Sequence, residues 1–165
     1  MSEPLWLVAA RGYIGVREIP GAPTAPTITR WLQQLQAWWQ DDETPWCGTF
    51  VAACMRDAAI SPLPKFWMRA KDWLNWGQIL SGPCVGAVVV FEREGGGHVG
   101  FVVGRDTQGR LLVLGGNQGD QVKVSPFIVA RAVGYRWPTG INHPAVGWSE
   151  LPVSAATGAA SRNEA

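Results

Sequence analysis

The chain has 165 residues, 47% of them hydrophobic and 16% charged, so it is long and apolar enough to bury a core of its own and is not a disordered polymer. Lys and Arg number 14 against 13 Asp and Glu, with no basic block, which excludes an electrostatic nucleic-acid binder or a polybasic membrane patch. Three cysteines are an odd number and imply no disulfide framework.

The opening run MSEPLWLVAARGYIGVREIPG has neither a basic leader nor an uninterrupted apolar stretch. Synthesis in the cytoplasm without a signal peptide is therefore expected. No segment approaches the ~20 apolar residues of a membrane span, so no stable membrane association is expected. Residues 4–16 read as a helix with Leu5, Val8, Ala9 and Tyr13 on one side and Gly15 near its end. Arg17-Glu18-Ile19-Pro20-Gly21 is a turn, and 22–27 a Pro/Thr loop. Ile28, Trp31, Leu32, Leu35, Trp38 and Trp39 recur at helical spacing and predict a second helix over 27–40.

The next stretch organises the rest. Thr44 is a suitable N-cap, and Pro45 fits the first helical position, where its missing N–H costs nothing. A helix over 45–59 then places Cys47 third, near the unpaired N–H groups and the positive end of the dipole. That location favours the thiolate, the form a nucleophile needs. Cys47, Phe50 or Val51, Cys54 and Ala58 share one face, while Gly48, Ala52 and Ala53 allow a close approach. Cys54 and Cys84 have no such context and read as core thiols.

Pro62 and Pro64 break the chain before a short helix around 68–75. From residue 84 the period changes to that of strands: Val85–Phe91, His98–Gly104, Leu111–Leu114, Gln121–Val124 and Val129–Trp137, with a glycine-rich hairpin turn over Glu92–Gly97. A helical half followed by an antiparallel meander is the α+β arrangement. One domain is expected over 1–148, followed by a flexible tail, 149–165, rich in Ala, Ser and Gly. His143 falls in a loop and is given no role.

Tryptophan is the compositional outlier, at 10 residues. Such rings either fill a core or stack on sugars in a groove. Trp46, Trp67, Trp73 and Trp76 are the candidates for a groove beside the cysteine.

A thiolate needs a partner that takes its proton and later returns one to the leaving group, and imidazole does both at neutral pH. His98 opens a strand, sharing a face with Gly100 and Val102; if the central helix packs there, His98 looks at Cys47 and Gly100 makes room for the helix. A third polar group usually orients the ring, and Asn117 is available one strand further on.

The runs PWCGTFVAACMRDAAI, VGAVVVFEREGGGHVGFVVG and LLVLGGNQGDQV together resemble the CHAP and NlpC/P60 superfamily of papain-like cysteine amidases and peptidases. The resemblance implies a papain-like fold with the nucleophile helix packed on an antiparallel sheet. It implies Cys47 as nucleophile, His98 as general base and acid, and Asn117 as the orienting group. Many members carry a Glu shortly before this Asn, where the chain has Gly115-Gly116, and the Asp expected in the first strand is Ala87. The implied substrate is peptidoglycan, cut at the N-acetylmuramoyl-L-alanine bond or within the stem peptide through an acyl-enzyme. The Cys47 backbone N–H would hold the oxyanion. Glu18 either faces the groove or fixes its loop.

The implied protein is a monomer of the phage-endolysin or antibacterial-toxin kind, acting in the periplasm or cell wall. A holin or a secretion system would deliver it, and an immunity protein would be a partner of a toxin. No HExxH or other ligand cluster is present, so neither metal nor cofactor is expected. Two other readings stand beside this one: a thiol hydrolase or transferase on a different amide, and a catalytically inactive wall-binding module that uses its tryptophans.

Overall fold

Apolar spacing sets the three N-terminal helices, although not always on the face expected. The computed structural model describes residues 3–19, 25–39 and 45–155. Helix α1 spans Leu5–Gly12 and buries Trp6, Leu7 and Ala10. Leu5 and Val8, expected inside, are 69% and 53% exposed. The helix is rotated because Trp6 carries the largest apolar area and its indole N–H finds a buried acceptor, the Gly86 carbonyl, at 2.8 Å. The chain leaves the helix at Tyr13. Beyond Gly15 (φ +100°) it runs extended beside residues 120–122, where Val122 N–H donates to Val16 O at 2.7 Å and Glu18 N–H to Asp120 O at 2.9 Å.

Helix α2, Pro26–Gln34, starts on a proline and buries Ile28, Trp31 and Leu32. It ends at Gln34, well over a turn before the expected limit, because Gln36 adopts φ +60°. Trp38 and Trp39 therefore lie outside the helix, with Trp38 89% exposed. Helix α3, Cys47–Asp57, begins two residues later than expected and has Trp46 as its N-cap. Pro45 precedes the helix, and the proposed cap Thr44 lies outside the described residues. Residues Cys47 to Met55 of α3 are buried throughout, so this is the central helix of the core. The short helix near 68–75 is a 3₁₀ segment, Ala70–Asn75.

The second half forms one seven-stranded sheet. Its strands are β1 (Gln78–Leu80), β2 (Val88–Arg93), β3 (Gly96–Asp106), β4 (Leu111–Gly115), β5 (Lys123–Phe127), β6 (Ala132–Trp137) and β7 (Val153–Ser154). The order is β1-β6-β2-β3-β4-β5, antiparallel throughout, with β7 added parallel to the far end of β3. Strand β1 is too short and too near a glycine to show a period. The hairpin turn contracts to Glu94-Gly95, with Gly95 at φ +78° and Arg93 facing Gly96 across the ladder. Strand β3 is longer than expected at both ends, and α3 lies against it and against β4. The fold is α+β, and its helix and sheet arrangement is compatible with a papain-like fold.

The stretch read as a flexible tail from Ser149 packs onto the sheet as far as Ser154. Leu151 is 3% exposed, and Val153 and Ser154 pair with Arg105 and Asp106. Its small polar residues gave no apolar period, but one leucine and one free strand edge are enough to dock it. Among the described residues no helix is long and apolar enough to cross a membrane.

Candidate active site

Cys47 is the first residue of α3, where the helix opens its unpaired N–H groups. The sulfur feels two opposed influences. Burial pushes the thiol pKa up, and this is the larger effect. The backbone N–H groups of Val99, Gly48 and Cys47 itself, with the positive charge of Arg93, act the other way. The helix start does favour the thiolate, as expected, but desolvation outweighs it, so the net push is toward the thiol. Val99 is the neighbour of His98 on β3. Helix start and strand therefore meet at this sulfur, which brings Cys47 and the His98 segment together.

His98 is fully buried, its ring stacked near those of Phe127 (5.4 Å between centroids, 11°) and Phe91 (6.4 Å, 25°). Its Nε2 lies 2.9 Å from Oε1 of Gln118. The Gln118 amide cannot turn over, because its Nε2 donates to Lys123 O at 2.7 Å and to Val113 O at 3.2 Å. The carboxamide oxygen thus faces the imidazole as an acceptor, and the His98 Nε2 must carry the proton. That leaves Nδ1 as the basic nitrogen of the neutral ring.

Asn117 is not the residue bonded to the imidazole. It is buried at φ +58°, and among the described residues neither atom of its carboxamide has a hydrogen-bond partner. The backbone reverses at this position, and asparagine is among the few side chains that tolerate a left-handed conformation. The reversal presents the next residue, Gln118, to His98. Sequence reasoning stopped one residue short; the available signal was a turn-forming Asn followed by a longer carboxamide.

Of the four candidate tryptophans, three are core. Trp46 is 1% exposed, packs near Trp31, and donates its indole N–H to Glu18 Oε1 at 2.7 Å. Glu18 thus fixes a loop, one of the two roles expected for it. Trp73 and Trp76 are buried, with their N–H groups on the carbonyls of Trp67 (3.0 Å) and Pro62 (2.8 Å). Rings held this way cannot offer a face to a sugar. Only Trp67 is half-exposed, stacked on Trp39 at 5.8 Å.

Glycines set the close approaches, but not where expected. A Cβ on Gly100 would meet Val113 and the Leu114 carbonyl, so this glycine makes room for β4 and not for the helix. A Cβ on Gly48 would sit 2.3 Å from the Trp67 carbonyl oxygen, so the 66–69 segment is drawn against the start of α3. That segment walls one side of a cleft of ≈ 310 Å³ whose lining includes Cys47, and the β2–β3 hairpin walls the other with Arg93, Gly96 and Gly97.

Cys54 and Cys84 are buried thiols, as expected, both pushed up by burial, Cys84 to about 11. Among the described residues no group of three or more His, Cys, Asp or Glu is placed to hold a metal ion.

No curated protein matches the chain. A family model does: residues 39–117 match that of the CHAP domain, a segment that holds Cys47, His98 and the start of the Asn117 turn. CHAP domains are generally cysteine hydrolases acting on peptidoglycan. Over that segment, just under half of its length, the chain is similar to the CHAP domain family.

Proposed function

We propose that this protein hydrolyses an amide bond of peptidoglycan through a thioester on Cys47, with His98 as base and then acid and Gln118 holding the imidazole. The Cys47 proton passes to His98 Nδ1 as the sulfur attacks the carbonyl carbon. The tetrahedral oxyanion faces the Cys47 backbone N–H, at the positive end of α3. The C–N bond breaks as the imidazolium returns its proton to the departing amine. Water then attacks the thioester, giving up its proton to His98, and the product carboxylate and the thiol are released.

The observation that carries this reading is the fixed tautomer of His98. Gln118 accepts from Nε2 at 2.9 Å and is itself anchored to two carbonyls, so the neutral form of the ring carries its lone pair at Nδ1. An inactive wall-binding module has no need of a buried imidazole tied in this way. The cleft favours a peptide over a sugar face, since its walls offer charged side chains and glycine backbone while Trp46, Trp73 and Trp76 are buried. The amide cut is accordingly either the one joining the muramoyl lactate to the stem or one within the stem.

Mass spectrometry of purified wall fragments after digestion tests the proposal. Each cut should add one water and create a new amine at a single type of linkage, and Cys47→Ala protein should make no cut. Cleavage of a glycosidic bond, or undiminished cutting by Cys47→Ala, would overturn it.

A further inference from the structure

Not all of the 10 tryptophans belong to the core. Trp6, Trp46, Trp73 and Trp76 do, each with its indole N–H on an acceptor inside the protein. Trp38, Trp39 and Trp67 are placed differently. Trp38 is 89% exposed, and Trp39 and Trp67 are half-buried. The three rings form one row: Trp38 meets Trp39 edge-on at 5.3 Å between centroids, and Trp39 stacks on Trp67 at 5.8 Å and 28°. Among the described residues none of these three indole N–H groups has an acceptor.

The inner end of the row is anchored beside the cleft that holds Cys47. The Trp67 carbonyl accepts from the Trp73 indole at 3.0 Å and lies against Gly48, where a Cβ would sit 2.3 Å from it. Met68 and Arg69, the next two residues, line the cleft itself. The outer end, Trp38, stands in solvent. Three contiguous indoles leading from solvent to the wall of a cleft mark an interaction surface.

Its surroundings select the occupant. The neighbouring exposed ring, Phe66, is capped by Lys65 at 5.4 Å and Arg69 at 4.7 Å, whereas among the described residues no cation covers Trp38. Residues 36–39 and 65–69 expose no aliphatic side chain; beside Trp38, their exposed residues are Gln36, Lys65, Phe66 and Arg69. A protein partner would need a broader apolar centre than this. An indole has an apolar face and a polar N–H tip. A pyranose matches it, with a C–H face to lie on the ring and hydroxyl and acetamido oxygens to accept from N–H groups and the polar fringe. We propose that Trp38, Trp39 and Trp67 form a glycan-binding platform, on which N-acetylated sugars of the peptidoglycan strand stack while the stem peptide enters the cleft. This inference rests on the hydrolase reading above and adds a second subsite to it.

The test uses the N-acetylglucosamine tetramer, a neutral glycan without a stem, on full-length Cys47→Ala protein. Titration followed by NMR should shift the indole N–H signals of Trp38 and Trp39 saturably and leave those of Trp6 and Trp76 in place. Trp38→Ala should weaken tetramer binding at least about fivefold, the scale of one lost aromatic contact, and Trp38→Tyr should recover most of it. On purified wall, Trp38→Ala should raise KM by a similar factor with little change in kcat, the pattern of lost uniform binding. Because Trp38 stands in solvent, its removal should leave the urea unfolding midpoint near wild type.

Unmoved Trp38 and Trp39 signals, or equal tetramer binding with and without Trp38→Ala, would overturn the inference. So would dimerisation in sedimentation that Trp38→Ala abolishes, since the row would then belong to a second copy of the chain. If the wild type cuts no wall, the hydrolase reading fails, and the tetramer titration alone decides the platform.

Discussion

His98 Nε2 and Gln118 Oε1 lie 2.9 Å apart, and Gln118 is itself held by the carbonyls of Val113 and Lys123. The sheet therefore fixes the imidazole tautomer through one carboxamide. Gln118→Ala should lower kcat/KM about 10–100-fold, the usual loss for a group that orients a reacting side chain. His98→Ala should lose at least about 10²–10⁴-fold, because the proton carrier itself is gone. Gln118→Glu is the more telling variant. A carboxylate there stabilises the imidazolium, so the acidic limb of the pH–rate profile should move to higher pH, a change that loose packing would not produce. Asn117→Gly should stay close to wild type in activity, since glycine accepts φ +58° and the Asn117 carboxamide makes no hydrogen bond to the ring. If Asn117→Gly were as damaging as Gln118→Ala, the assignment would fail.

Thiol reactivity follows from placement. All three thiols are buried, but at Cys47 backbone N–H groups and the charge of Arg93 oppose the upward push of burial, whereas nothing of that kind acts on Cys54 or on Cys84, which stands at about 11. Iodoacetamide at neutral pH should alkylate Cys47 first and remove activity in step with that single modification, as read by peptide mapping. Cys54→Ala and Cys84→Ala should keep substantial activity. The same thiols set an alkaline limit on stability. An unfolded cysteine ionises near about 8.5, so above that pH the unfolded chain loses protons that the folded chain keeps until about 11 at Cys84. Stability should be flat below about pH 8.5 and fall as pH rises through that window. Cys84→Ala should reduce the slope of the unfolding free energy against pH.

The helices and the change of period at residue 84 are legible in the sequence, because apolar spacing and glycine punctuation report them directly. The approach of Cys47 to the His98 strand is legible only on the condition that the central helix packs there, and Gly100, expected to make room for that helix, makes room for β4. What is not legible has particular causes. Leu5 and Val8 fit the helical period as well as Trp6 and Leu7 do, and only the Gly86 acceptor for the Trp6 N–H decides which face turns inward. Trp46, Trp73 and Trp76 fit a groove beside Cys47 until their N–H partners are seen inside the core. Asn117 and Gln118 are both carboxamides, and a single backbone reversal decides which one reaches the histidine. The docking of Val153 and Ser154 depends on the free edge of β3, which no local pattern announces.

Gly116 is a packing constraint rather than a hinge. A Cβ there would lie 2.6 Å from Phe50 Cβ and 2.9 Å from the Trp46 ring, so the turn after β4 is pressed onto α3. Gly116→Ala must push these elements apart and should cost about 1–3 kcal/mol in urea unfolding. Activity should fall with it, because the same turn carries Gln118. Gly109→Ala is the comparison: a Cβ there meets nothing, and φ +77° leaves only the backbone cost. It should leave kcat/KM near wild type.

The bond from Trp46 Nε1 to Glu18 Oε1, 2.7 Å long, joins the extended N-terminal segment to the residue just before Cys47. Glu18 is brought there by its backbone pairing with Asp120, on the far side of the Gln118 turn. One carboxylate thus ties together the α1 exit, the start of α3 and the loop that orients His98. Glu18→Ala leaves the buried indole N–H without its acceptor, which should cost about 1–3 kcal/mol of stability. Glu18→Gln keeps an acceptor oxygen and should recover most of that loss. The effect on catalysis should be smaller than for Gln118→Ala and should appear in kcat rather than KM, because Glu18 bears on where the sulfur sits and not on the cleft walls. Urea unfolding with steady-state kinetics on both variants checks this. A Glu18→Ala protein of wild-type stability whose KM alone rises would show instead that Glu18 contacts substrate.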